Sequence, residues 1–206
     1  MFSKSLEGPS IKLELYDNNS HRLNLIKIAQ SAELWTYQIP TNTNVSSFVN
    51  NYIESLNTGH LNHDPLAYII IDSQSQQLLG SSRYYEISKT DKKCCIGFTW
   101  YIPERWGSGI NVEVKNLMLS QIFDTFGWNR VGFHVDSRNK RSLAAMAKIG
   151  ATKEGLLKQH KIVQGDFVRD TVQFAITKDD WPTIKSSFLT FFRLIYLLIK
   201  ILGTRS

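Results

Sequence analysis

An apolar run over residues 94–102, halted by Pro103, is followed within a few residues by Gly107-Ser108-Gly109 and then by a long helical stretch. That succession constrains the chain more than any other feature. Pro103 ends a strand because it has no N–H to give to a ladder. Glycines at a helix start leave bare backbone N–H groups able to converge on an anion with no side chain in the way. Residues 112–126 read as the helix: Leu119, Ile122, Phe123 and Phe126 fall at i, i+3, i+4 and i+7, and Gly127 supplies the stop. Residues 130–136 then alternate, with Val131, Phe133 and Val135 on one face, as a strand that should lie beside the first. A helix over 139–149 ends at Gly150 and sets Asn139 and Ser142 on one face. The glycines read as a diphosphate cradle, and the Asn139/Ser142 pair extends it into a groove for a long phosphorylated cofactor.

The rest of the chain supplies a sheet around this unit. Residues 11–16 alternate as a strand, and 21–31 and 46–57 carry helical spacing, the second closed by Thr58-Gly59. The loop between them holds Trp35, Tyr37 and Pro40. Residues 66–71 are a buried apolar run, 78–87 a strand, and with 94–102 they read as a meander. Residues 152–163 and 168–176 flank Gln164-Gly165-Asp166-Phe167 as a hairpin, and Asp179-Asp180-Trp181-Pro182 opens a last helix. The expected sheet is mixed.

Composition narrows the class. A chain of 206 residues, 42% hydrophobic and 20% charged, suits one domain with a real core, expected over residues 1–186 with an apolar helical extension over 187–206. The net charge of +6 favours an anionic partner. Lysines and arginines are scattered rather than gathered on one face, which argues against a specific nucleic-acid partner. The two cysteines, Cys94 and Cys95, are strand neighbours that should point to opposite faces, which excludes a disulfide framework and a zinc site built on them. Residues 1–16 lack the apolar core of a signal peptide, so a cytoplasmic location is expected.

At this point the segments resemble a known family. Ile96-Gly97-Phe98-Thr99-Trp100-Tyr101-Ile102-Pro103, leading into Trp106-Gly107-Ser108-Gly109-Ile110-Asn111, then residues 136–142 and Glu154-Gly155-Leu156-Leu157, are similar to the GNAT N-acetyltransferases. Arg169-Asp170-Thr171-Val172 and Asp180-Trp181-Pro182 fit the branch that includes the ribosomal-protein N-terminal acetyltransferases. The resemblance covers residues 10–185 and implies an α/β (α+β) fold, with a mixed, mostly antiparallel central sheet flanked by helices, whose fourth and fifth strands splay to admit a pantetheine arm. It also implies acetyl-CoA as co-substrate without a metal, a primary amine as acceptor (a protein N-terminus or a small molecule), and direct transfer in a ternary complex. By the same resemblance Arg105, Trp106, Gly107, Ser108, Gly109, Ile110, Asn111 and Val112 hold the diphosphate, and Asn139 the pantetheine. Tyr101 or Ile102 gives a backbone N–H to the oxyanion, and Ser142 assists protonation of the sulfur.

Two departures bear on chemistry. Trp106 stands where the family's loop begins with Gln or Arg, so a charged side chain there is absent unless Arg105 substitutes. Cys95 stands where relatives place a carboxylate, and Lys161 where some place a glutamate. The titratable candidates for general base are then His134 and His160. Both substitutions keep a second reading open, a CoA-binding regulatory module without catalysis. Trp35, Tyr37, Tyr84 and Tyr85 are candidates for the acceptor pocket, against core packing. His60-Leu61-Asn62-His63-Asp64 offers ligand spacing without a third partner, so no metal is expected.

The C-terminus is apolar over residues 188–202 except for Thr190, Arg193 and Lys200; Ser186, Thr190, Arg193, Lys200 and Thr204 share one narrow helical stripe. That falls short of the roughly 20 apolar residues of a membrane span. The expected roles are packing on the domain, a homodimer contact, or a helix lying in the plane of a membrane surface.

Overall fold

Eight strands, β1 (Ser5–Glu7), β2 (Ile11–Leu15), β3 (Leu66–Asp72), β4 (Leu78–Ser88), β5 (Lys93–Tyr101), β6 (Arg130–Asp136), β7 (Thr152–Val163) and β8 (Phe167–Thr177), form one sheet in the order β1-β2-β3-β4-β5-β6-β8-β7. The helices are α1 (Asn18–Ile28), α2 (Val45–Asn62), α3 (Ile110–Ser120), α4 (Lys140–Lys148) and α5 (Trp181–Gly203). The structure, a computed structural model, describes residues 1–38, 44–62, 66–163 and 166–203, without the side chains of 57–62 and 194–203. Pro40, His63, Asp64, Gln164 and Gly165, and the side chain of His60, therefore lie outside the described residues.

Side-chain alternation gives the sheet two apolar faces. Ile11, Leu13, Tyr68, Ile70, Tyr84, Ile96, Val131 and Phe133 meet Val112, Val114 and Met118 of α3 and Ile184 and Phe188 of α5. Ala67, Ile69, Ile71 and Trp100 meet Leu25 of α1, Val49, Ile53 and Leu56 of α2, and Trp35. β3 is buried on both faces, as its unbroken apolar run requires.

Every adjacent pair of strands is antiparallel except β5 and β6, which run parallel through Lys93↔Arg130, Cys94↔Val131 and Cys95↔Gly132 only. Beyond those pairs the two strands part. A register shift between Ser81 and Arg83 puts a bulge in β5 just past the last of those pairs, with Phe98 at φ 50° in the extra position. These are the expected fourth and fifth strands; β1 shifts their numbers by one. At three residues β1 is too short to show alternation, and Glu113 of α3 secures it by accepting from the N–H groups of Ser10 (2.8 Å) and Ile11 (3.1 Å). Gly8 makes room, since a Cβ there would lie 2.5 Å from the Glu113 carboxylate.

The helices depart from expectation at their ends. α1 starts at Asn18 because the Asp17 carboxylate caps it, accepting from the Ser20 N–H at 2.9 Å. α2 runs through Thr58-Gly59, an interior glycine costing about 1 kcal/mol relative to alanine while Val49, Ile53 and Leu56 bury the helix's face. α3 passes into a π-helical turn over Gln121–Thr125 before Gly127, at φ +63°, ends it. α5 continues unbroken past residue 186, and Phe188, at 3% exposure, belongs to the core. Among the described residues no helix is long and apolar enough to cross a membrane.

Candidate active site

The mouth of the parted strands is formed by the segment between β5 and α3. A single 3-10 turn over Pro103–Arg105 follows β5; Gly107 and Gly109 then take positive φ, 76° and 86°, and Gly109 caps α3. A side chain at either position would be strained in this left-handed backbone. Within the loop the Trp106 N–H donates to Pro103 O at 3.0 Å and the Val112 N–H to Gly109 O at 2.9 Å. The N–H groups of Gly107, Gly109 and Asn111 have no acceptor among the described residues. They sit at the positive end of α3, the arrangement that stabilises a diphosphate.

The charged side chains nearby divide unequally. Arg105 is paired with Asp72 at 2.8 Å, so its charge is already matched. Arg141, from the first turn of α4, lies 3.8 Å from the centroid of the Trp106 ring. The aromatic residue at the loop's first position thus carries a guanidinium brought from another element, which the sequence order alone concealed. Tyr101 donates its phenolic O–H to Asn111 Oδ1 at 2.9 Å and fixes that side chain in the first turn of α3.

Backbone groups inside the gap follow from the ladder. The Ile102 N–H donates to Leu79 O at 2.8 Å, so it faces β4 and cannot serve an oxyanion. Tyr101, opposite Gly80, is then in a non-hydrogen-bonded pair and turns its N–H and C=O away from β4, into the seam. Its carbonyl accepts from the Trp106 indole at 2.9 Å. Of the two expected oxyanion donors, only Tyr101 points the right way.

On the sheet face opposite α3, three side chains converge where β5 and β6 last pair. The Cys95 thiol donates to Glu86 Oε2 at 3.3 Å, and His134 Nδ1 lies 3.9 Å from Glu86 Oε1. Gln173 Nε2 stands 3.5 Å from His134 Nε2. Together with Lys93, Arg130 and Gly132 they line a pocket of about 190 Å³. Burial and the adjacent Glu86 carboxylate push the Cys95 thiol up to about 12. Burial lowers the pKa of His134, which favours its neutral form. Donor atoms of Glu86, Cys95 and His134 all lie within 4.8 Å of one another, so the trio could also ligate a cation, a set not foreseen when no metal was expected. Glu86 was missed because it reads as an exposed charge on a strand. It reaches Cys95 through a register shift between Tyr85 and Ser88, with its own φ at 51°.

The remaining candidates scatter. Asn139 caps α4, its Oδ1 accepting from the Ser142 N–H at 3.0 Å; this places Ser142 in the first helical turn with its hydroxyl outside that bond. His160 stands 6.2 Å from His134, ring to ring, and bonds Thr171 Oγ1 at 3.1 Å. Lys161 is exposed on β7. Trp35 and Tyr84 are core side chains rather than pocket lining: Trp35 donates to Ala29 O at 2.8 Å and Tyr84 to Met118 O at 2.7 Å, both fully buried. Tyr37 lies 5.6 Å from Arg138. Tyr85, one residue from Tyr84 and so on the opposite face, is the tyrosine beside the trio, 6.1 Å from His134.

Comparison with known proteins agrees with this geometry. A family profile described as acetyltransferase (GNAT) domain matches residues 13–152. An uncharacterised N-acetyltransferase of Bacillus subtilis, YoaA, is 30% identical over 104 residues, 50% of this chain and 58% of that protein. The ribosomal protein uS5 alanine N-acetyltransferase of Escherichia coli is 24% identical over 128 residues, 61% of this chain and 64% of that protein. The chain therefore spans less than two thirds of either relative's length. The crystal structure of a GCN5-related N-acetyltransferase from Brucella melitensis superposes with a TM-score of 0.80 at 23% identity, covering 92% of this chain and 86% of that one, which shows the shared fold.

Proposed function

The chain belongs to the GNAT acetyltransferase family, and from that premise we propose that it moves the acetyl group of acetyl-CoA to a primary amine by direct transfer in a ternary complex. The observation that carries this reading is the gap beyond Cys95↔Gly132, with unpaired loop amides at its mouth and the Tyr101 N–H inside it. An extended thioester in that gap would have its diphosphate at Gly107, Gly109 and Asn111 and its carbonyl oxygen near Tyr101.

The amine nitrogen then attacks the thioester carbonyl carbon, the C–N bond forms, and the C–S bond breaks. Preorganised N–H donors stabilise the oxyanion between those events. Glu86 receives the proton that leaves the amine. It supplies, from β4, the carboxylate that relatives place on the neighbouring strand, and neutral His134 beside it is a second acceptor within reach. The thiolate takes a proton from solvent, directly or relayed through the Ser142 hydroxyl, which regains from solvent the proton it passes on. Cys95 is not a nucleophile here: with a thiol held up to about 12, its thiolate is scarce at neutral pH, which favours direct transfer over an acetyl-cysteine.

The acceptor is a protein N-terminus or a small-molecule amine. The relative named for acetylating the alanine of ribosomal protein uS5 makes the first of these one arm of the test. Thiol release from acetyl-CoA is measured against a panel of small amines and N-terminal peptides. Amine-dependent release supports transfer. CoA binding with no release for any amine overturns it and favours the regulatory module.

A further inference from the structure

Arg83 projects from β4 between two aromatic rings, its guanidinium carbon 4.3 Å from the Tyr52 centroid and 4.9 Å from that of Phe98. The residue is only 3% exposed. Nη1 donates to Ser55 Oγ at 3.1 Å, while Nε and Nη2 are buried with no acceptor among the described residues. Ring faces interact with the cation as a whole but leave those N–H groups unpaired, and a buried guanidinium without an anion is costly.

The unpaired atoms are not an arbitrary two. Nε and Nη2 form the side edge of the guanidinium, the fork that takes both oxygens of a carboxylate. Arg138 shows that use in this same chain, binding Asp136 through Nε (3.0 Å) and Nη2 (2.8 Å). At Arg83 the same edge has no partner among the described residues.

Its position bears on the reaction. Arg83 and Tyr85 face the same side of β4, two residues apart, and Tyr85 pairs with Cys95. Glu86 follows, so the α-carbons of Arg83 and Glu86 are separated by at most about 10 Å at 3.3 Å per strand residue. Phe98 covers the guanidinium from outside: its ring is partly in solvent at 47% exposure, and its backbone occupies the bulge at φ 50°.

We propose that the acceptor carries a carboxylate near its amine and that Arg83 binds it while the amine faces Glu86. This rests on the acetyl-transfer reading and adds the substrate's class to it. The carboxylate has two possible sources, a free amino acid of short span or an acidic side chain next to a protein N-terminus.

The test compares acids with matched amides in the presence of CoA. β-Alanine is set against β-alanine amide, and N-terminal hexapeptides with Asp at the second position against the same peptides with Asn. Titration is read by NMR at the Arg83 Nε–H resonance and by KM for acetylation. The expected result is a preference of about tenfold or more for the acid in one pair, the size of a charged hydrogen bond, and that pair identifies the source. Arg83→Met should bring the ratio to about one, and Arg83→Lys, which keeps charge but loses the fork, should retain part of it. Should Arg83→Met fail to fold, the titrations of the parent protein still decide. Equal affinities for acid and amide in both pairs overturn the proposal even if acetylation is brisk. A clear acid preference without acetylation of any amine upholds the Arg83 site and sinks the transfer reading instead.

Discussion

The thiol of Cys95 and the carboxylate of Glu86 meet across neighbouring strands, 3.3 Å apart, with the sulfur as donor. A carboxylate is therefore present where the sequence of β5 shows none. Glu86→Gln should lower turnover by a factor of about a hundred or more, the usual range for a general base, with little change in CoA affinity. Adding Cys95→Glu to that variant returns a carboxylate to β5 and should recover part of the rate. Turnover in Glu86→Gln equal to the parent, across pH 6 to 9, would assign the proton to His134.

The loop glycines make a separate prediction about binding. Gly109→Val forces a β-branched residue to φ 86°, costing about 1–2 kcal/mol, and obstructs the amides at the start of α3. CoA affinity should fall sharply in a protein that still folds. Gly127→Ala is the control, since it is strained at φ +63° with open space around it, and calorimetry should show its CoA affinity unchanged.

Lys115 predicts a pH dependence of stability. It lies in the core, donating to Thr99 Oγ1 at 2.7 Å, and burial lowers its pKa to about 7 from 10.5. Between those values the unfolded chain holds a proton that the folded chain does not, so stability rises with pH across the window and the penalty is complete below about pH 7. The full effect is on the order of 5 kcal/mol at about 1.4 kcal/mol per pH unit. Lys115→Met should flatten the curve: its Tm relative to the parent should be most favourable at pH 6 and decline toward pH 9. A constant difference between the two proteins would show that Lys115 does not titrate in this range.

Along α5 the structure distinguishes two kinds of truncation. Trp181 stacks on Phe123 at 5.4 Å and donates to Asp124 at 2.8 Å, while Phe188 is buried. Cutting after Lys185 removes Phe188 and should destabilise the domain by about 3–5 kcal/mol, as for other buried aromatics. Cutting after Arg193 should keep the fold and CoA binding. We propose that residues 194–203 contact a second copy or a membrane surface, so the shorter cut should reduce self-association or liposome binding in sedimentation. No change in either would leave that segment without a partner.

The readable and the hidden parts of the site differ for physical reasons. The Gly107-Ser108-Gly109 turn was legible because glycine and proline act on the backbone locally, and Cys94 and Cys95 because alternation puts strand neighbours on opposite faces. Glu86 and Arg83 were not: Arg83 reads as solvent-facing although it is buried, and Glu86, which is exposed, reaches Cys95 only through the bulge between Tyr85 and Ser88. Bulges also explain the tyrosines: alternation separates Tyr84 from Tyr85 but does not say which of them faces α3. β1 left only a faint trace, Gly8-Pro9 between Leu6 and Ile11, and the carboxylate that holds it lies 103 residues away from Ser10.

Three residue pairs stitch β5 to β6, as few as join the edge strand β1 to β2, while each of the other seams carries five or more. The sheet is mechanically two plates, β1 to β5 and β6 to β8, held along a short weld. Opening that weld should be among the least costly internal motions of the chain, so its amides should exchange with solvent well before those of β3. A molecule lying in the gap touches both plates, and binding it should slow exchange on β5 and β6 together. The sheet then owes part of its continuity to something that is not protein.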